Sequence, residues 1–429
     1  MSGPKTSRYT VAEDRRRAIR EQQRIRLELK MLEILKETKR DANSVVVQAD
    51  KILEQAEPLW TEIHKDSDKI KNVKALRMET LSAINRASGM RSAAGLDSLH
   101  RASMDLREIS GKLRACVQSL KKEYDSMDRS FRSEIMEHIS DGFSLSFDNL
   151  GDTSALQKDF YYQKIQNELA SLAAKRISDD QLARLQVIRE KSNEILDLSF
   201  LKNFYAMTVL PFVKDCRAYH EAYARYGEDY ERKKFIYEEN AKVLGIIAEE
   251  IPFSERAITA LDEKIRETEA AIQYREEQAY ISRCVDEAMR EMGYSTLGSR
   301  DITKRNGRKF HNALYLFEEG TAVNVTYSND GQITMELGGI GMEDRVPTSE
   351  ECASLESEMR PFCDDFFEIE RRLKEKGIIA NRISVLPPDA QFAQIINVSD
   401  YNLCTDVSVY EVREERRKAE TVHIREIEG

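Results

Sequence analysis

The chain has 429 residues, 33% of them charged, with only 18 glycines and eight prolines to interrupt it. Its formal charge of −10 argues against a protein that coats nucleic acid along its whole length. No apolar run approaches the ~20 residues of a membrane-spanning helix, which excludes that class from the sequence reading. The length suits two or three domains, and the composition favours long solvated helices over loop-rich folds. The six cysteines, at 116, 216, 284, 352, 363 and 404, form no Cys-x-x-Cys pair. That spacing fits a reduced, cytoplasmic chain without a zinc finger.

Residues 1–9, with Gly3 and Pro4, read as a flexible lead. Thr10 and Glu13 then have capping-box spacing and open a helical arm over 10–140. The first 40 residues hold twelve Lys or Arg against six Asp or Glu. Within them Arg15, Arg16, Arg17, Arg20, Arg24 and Arg26 are the candidate contacts for nucleic acid or an acidic partner, and a solvated helix start is the competing reading. Ile25, Leu29, Leu32 and Leu35 begin an apolar stripe that Val46, Ala49, Leu53 and Ala56 carry to Pro58, where the helix is expected to end or bend. A second helix is expected from Leu59 to Arg86, including Ile63. A third, from Asp97 to Ser140, carries Leu99, Ala102, Leu106, Ile109, Leu113, Cys116 and Leu120 at alternating steps of three and four, the seam of a coiled coil.

The opening Met1-Ser2-Gly3-Pro4-Lys5, with Ser7, Tyr9 and Thr10 running into a charged helix, resembles the start of uncharacterised bacterial coiled-coil proteins. The resemblance is confined to this stretch. It implies a bacterial cytoplasmic origin and carries no biochemical activity.

A linker is expected at 141–154, followed by a second helical region over 155–293. Ser178 and Gln181 form another capping-box pattern there. Tyr219, Tyr223, Tyr226 and Tyr230 recur on one helix face and read as packing residues in preference to stacking platforms for bases. From 294 to 410 the pattern changes to an α+β module, with 411–429 as a charged tail. Ala313, Tyr315 and Phe317, then Val323, Val325 and Tyr327, then Ile333, Met335 and Leu337, alternate with period two and predict three antiparallel strands. Thr348 and Glu351 cap a helix bearing Leu355, Met359, Phe362, Phe366, Ile369 and Leu373, which Pro361 is expected to kink or split. Arg382–Leu386 and Phe392–Val398 are candidate further strands. Unless one of them covers it, the meander's edge is free to accept a partner's strand.

Searches for chemistry are negative. Gly338-Gly339-Ile340-Gly341 lacks the Lys-Ser or Lys-Thr of a phosphate loop and reads as a flexible strand exit. Asp364, Asp365, Glu368 and Glu370 crowd one segment, and a solvated helix back explains them better than metal or acid–base work. His311 receives no role. The sequence therefore predicts a mainly α protein, a long antiparallel coiled-coil or helical-bundle region followed by a small α+β domain with a three-stranded meander. No catalytic residue, cofactor or metal ligand is assigned. The expected function is a non-enzymatic cytoplasmic scaffold or adaptor with protein partners and no membrane contact, its heptad seams filled either by antiparallel hairpins within the chain or by self-association; nucleic-acid binding through the basic helix is the alternative.

Overall fold

The computed structural model describes residues 3–62, 68–137, 153–172, 175–304 and 308–403. Ile63, Cys404, residues 141–152 of the expected linker and the tail at 411–429 lie outside them. The chain divides into two compact units, residues 23–270 and residues 1–22 with 271–429, and both boundaries fall inside helices.

The helical unit is built on α1 (Glu13–Glu62), α2 (Asp68–Ser88), α3 (Leu96–Glu137), α4 (Thr153–Ala170), α5 (Asp179–Glu194), α6 (Leu198–Phe204), α7 (Leu210–Leu244) and α8 (Glu255–Glu291), with one π turn, Tyr205–Val209, joining α6 to α7. Leu99, Leu106, Leu113 and Leu120 of α3 are fully buried, while Ala102, Ile109 and Cys116 are half-buried beside them. Their core also contains Leu35, Val45, Ala49 and Ile52 of α1 and Val73 and Ile84 of α2, so the seam is filled from within the chain. α1 continues through Pro58 to Glu62. The buried Ala56 and Trp60 on either side of the proline hold that turn against the core, which offsets the hydrogen bond the proline removes. Three of the four stripe tyrosines close on one residue: Tyr219, Tyr223 and Tyr230 each set their rings against Phe253, and the Tyr230 hydroxyl donates to the Ile251 carbonyl, whereas Tyr226 is exposed.

In the other unit β1 (Lys5–Val11), β2 (Ser295–Thr303), β3 (Lys309–Glu318), β4 (Thr321–Ser328), β5 (Gln332–Gly341), β6 (Ile378–Val385), β7 (Ile395–Asn397) and β8 (Asn402–Leu403) form one sheet in the order β6-β1-β5-β4-β3-β2-β8. β7 pairs with β5 in parallel, and the other pairings are antiparallel. The expected strands β3, β4 and β5 are present, but as the middle of this larger sheet.

The lead reading of residues 1–9 is corrected most sharply. Lys5, Ser7, Tyr9 and Val11 alternate inward on a strand inserted between β5 and β6. Thr10 is therefore a strand residue, not a helix cap. The predicted free edges are also covered, since β2 occupies the outer side of β3 and β1 the outer side of β5.

One face of the sheet packs against the end of α8 and against α9 (Ser349–Glu375). α9 starts at the predicted Thr348–Glu351 capping box and runs through Pro361 without a break. Leu355, Met359, Phe362, Phe366, Ile369 and Leu373 are all buried. At roughly 1.5–3 kcal/mol each, their burial outweighs the ~3 kcal/mol penalty of an internal proline.

The glycine cluster belongs to β5, where β7 and the segment before it lie against the strand. A Cβ on Gly338 would stand 2.8 Å from Ile396 and 3.0 Å from the Gln394 carbonyl. These glycines permit close approach of two backbones, so the flexible-exit reading is replaced by a packing one. Gly338→Val is expected to destabilise the sheet unit by about 1–3 kcal/mol through overpacking. A urea midpoint identical to that of the parent chain would contradict this assignment.

Candidate functional site

The sequence-predicted basic residues sit on the first turns of α1, and most have partners within the chain. Arg16 pairs with Glu277 at 3.1 Å, Arg20 with Glu13 at 2.5 Å, and Arg17 and Arg24 reach Glu13 and Glu28 at 3.8 Å. Arg15 lies over the Tyr280 ring at 4.3 Å. Arg26 is half-buried farther along the same helix. The excess of positive charge read from the sequence is thus partly spent on local pairs, and the six residues do not converge on one point.

The four acids of α9 diverge. Asp365 accepts from the Tyr294 hydroxyl at 2.5 Å, and Glu368 is clamped by Arg371 and Arg372, whose guanidinium groups hold its carboxyl down at about 2. Glu370, buried, accepts from Ser7 at 3.1 Å and pairs with Arg382 at 2.6 Å. Asp364 contributes a favourable field at Lys5. The solvated-back reading is therefore incomplete: Glu370 ties β1 and β6 to the helix, and Asp365 ties it to Tyr294 ahead of β2.

Lys5 itself is fully buried. Its ammonium donates to the Phe362 carbonyl at 3.3 Å and lies 4.4 Å and 5.0 Å from the centroids of the Phe362 and Phe366 rings. Burial pulls its pKa below the ordinary 10.5, and the thiol of Cys363 and the carboxylates of Asp364 and Asp365 counteract part of that pull.

The opposite face of the sheet carries a different arrangement. Ser384, Thr6, Thr334, Thr326, Asn312 and Arg300 stand opposite one another in register on β6, β1, β5, β4, β3 and β2, making a polar row across six strands. Cross-strand partners share a face, so at ~4.8 Å per strand the row is roughly 24 Å long. Thr6 and Thr334 bond through their hydroxyls at 3.0 Å. Beside the row, Glu336 is desolvated and its carboxyl is pushed up, while Tyr401 donates to Asn324 at 3.1 Å. Asn312 is buried with its Oδ1 unbonded.

Part of this face is covered by a second apolar cluster containing Leu297, Leu314, Ala322, Ile396, Val398 and Tyr401. At the other end of β3, Phe310 remains half-exposed with the Lys304 ammonium 4.7 Å from its ring centroid. The period-two reading of the apolar face contained this polar one in complement, since every residue between Ile333, Met335 and Leu337 had to point the other way. β2 carried no such clue, because Gly298, Ser299, Arg300 and Asp301 interrupt its apolar alternation. No family model matches the chain, and no curated protein or solved structure matches it either.

Proposed function

We propose that this protein is a non-enzymatic scaffold or adaptor of the bacterial cytoplasm, using coiled-coil-like helices for protein–protein interaction. The observation that carries the reading is a group of large apolar side chains left in solvent around α4 and α6. Leu196 is 81% exposed, Phe200 66%, Met207 79% and Phe160 62%. Scattered exposed apolar residues are ordinary, but four in this neighbourhood support a contact surface. Around Tyr161 the surface is also cationic, with Lys164 and Lys202 at 5.9 Å and 5.5 Å from its ring centroid. The complementary partner is an amphipathic helix whose polar flank is acidic.

The double substitution Phe200→Glu and Met207→Glu tests this. Partner recovery from the source cells is expected to fall at least tenfold while the thermal transition stays within a few degrees of the parent's, because neither side chain is buried. Equal recovery would count against the surface. The alternative role, a nucleic-acid-binding accessory protein acting through Arg15, Arg16, Arg17, Arg20, Arg24 and Arg26, draws on the positive excess of that end and predicts steep salt dependence. The pairings of Arg16, Arg17, Arg20 and Arg24 make it the weaker reading.

A further inference from the structure

We infer that β6 is a docking edge for a second copy of this chain, the two β6 strands pairing antiparallel about a two-fold axis at Asn381. This goes beyond the adaptor reading and rests on different residues. β6 ends the sheet: its inner side pairs with β1, and no described strand lies on its outer side. Register fixes which backbone groups that leaves. The Ala12 amide donates to the Gly377 carbonyl at 2.8 Å, and in an antiparallel ladder bonded and non-bonded pairs alternate from there. Ile379 and Asn381 therefore bond to Thr10 and Arg8, whereas Ala380 and Arg382 turn their amides and carbonyls outward. Ile378, which also turns outward, is buried, so the open edge begins beyond it.

Side chains supply the second observation. The five most exposed large apolar side chains described in this unit include Ile379 at 56%, Ile383 at 54% and Phe367 at 43%, all at this edge. Phe367 is placed there by Arg382, whose guanidinium lies 4.7 Å from its ring centroid. Ile379 and Asn381 stand on the face turned away from α9, and alternation brings Ile383, the extra residue of a bulge, to the same face.

This edge is self-complementary. With Ala380 opposite Arg382 of the second copy, the outward amides and carbonyls of the two chains satisfy one another. The same register sets Ile379 against Ile383 of the second copy, and the reverse by symmetry. It also sets Asn381 against itself, where one carboxamide donates and the other accepts. Moving the axis to Arg382 would set that residue against its own charge, and moving it to Ala380 would need the buried Ile378. The Arg382 charge is held inward by the buried Glu370 at 2.6 Å and leaves the edge open. A foreign strand could use the same backbone groups; the placement of Ile379 and Ile383 on either side of Asn381 is what selects a second copy.

Sedimentation equilibrium of the full chain from about 1 to 100 µM, joined to oxidative cross-linking, tests the inference. The parent chain is expected to show a concentration-dependent dimer. Ile379→Lys with Ile383→Lys sets like charges opposite one another and is expected to weaken the dimer at least tenfold. Its thermal transition should stay near the parent's, because both side chains are exposed. Mixing that chain with one carrying Ile379→Glu and Ile383→Glu is expected to restore pairing. Asn381→Cys is expected to form a covalent dimer on mild oxidation, since directly opposed non-bonded residues bring their Cα atoms to about 4.5 Å, within disulfide range. Ile379→Cys, about 13 Å along the strand from its own counterpart, and the parent chain are expected to form none. The inference is overturned by a parent chain that stays monomeric at about 100 µM, by an equally tight dimer in the lysine variant, or by a dimer lost in Phe200→Glu with Met207→Glu. Cross-linking of Ile379→Cys as ready as that of Asn381→Cys would overturn it too. So would strong amide protection of Ala380 and Arg382 at dilutions where the chain is monomeric, because the edge would then be covered already.

Discussion

Alanine in place of Tyr9 is expected to cost the sheet unit about 3–5 kcal/mol, the range for deleting a buried aromatic ring. Tyr9 is 2% exposed and shares a core with Ile333, Met335, Phe366, Ile369 and Leu373. Burial and the nearby Glu370 carboxylate push its phenol well up, so the ring enters that core neutral. Because β1 lies between β5 and β6, losing its anchor exposes backbone groups on both neighbours. Amide hydrogen exchange is the suitable readout, since two compact units need not unfold together. Faster exchange is expected in β1, β5 and β6, with α2 and α3 unchanged. Exchange in β5 and β6 identical to the parent's would show that β1 is dispensable to the sheet.

The second large effect concerns Lys5. Lys5→Glu is expected to prevent stable folding of the sheet unit, because a carboxylate there would be buried against two aromatic faces with Asp364 and Asp365 close by. Lys5→Met, of similar shape and without charge, is expected to be at least as stable as the parent at neutral pH. The two variants also have a pH signature. With the folded-state pKa below 10.5, the unfolded chain binds more protons in the window between the two values, so parent stability rises as pH climbs through it. Below that window the full penalty of the buried charge applies. The difference in stability between Lys5→Met and the parent should therefore shrink as pH rises toward 10.5. A difference that is constant with pH would mean that Lys5 is neutral throughout or is freely hydrated.

Helices were legible where one physical signal dominated. The three-and-four spacing of Leu99, Leu106, Leu113 and Leu120 named the buried side of α3, and two capping boxes, at Ser178 and Thr348, marked helix starts. The apolar alternation from Ala313 to Leu337 likewise named the strands at the centre of the sheet. β1 was hidden because its inward residues include Lys5 and Ser7, which are polar and donate to Phe362 and Glu370 of α9, more than 350 residues away in sequence. Local propensity carries no information about a partner that remote. The same remoteness concealed the polar row, whose members come from six strands and acquire a common face only through register. The end allowed for at Pro58 and the split allowed for at Pro361 did not occur for the opposite reason: a local penalty was counted without the burial that offsets it. As for the site, the basic residues of α1 were correctly located in a helix, but their pairing with Glu13, Glu28 and Glu277 depends on tertiary and side-chain geometry.

The adaptor role is tested most directly by photo-cross-linking in the source cells, with a photoreactive side chain placed at Phe200 and, in a second chain, at the exposed Arg40 of α1. Discrete protein adducts at position 200, absent from position 40 and lost when Met207→Glu is added, are the predicted result. Adducts that are the same at both positions, or that survive Met207→Glu unchanged, would contradict a partner surface built on Phe200 and Met207.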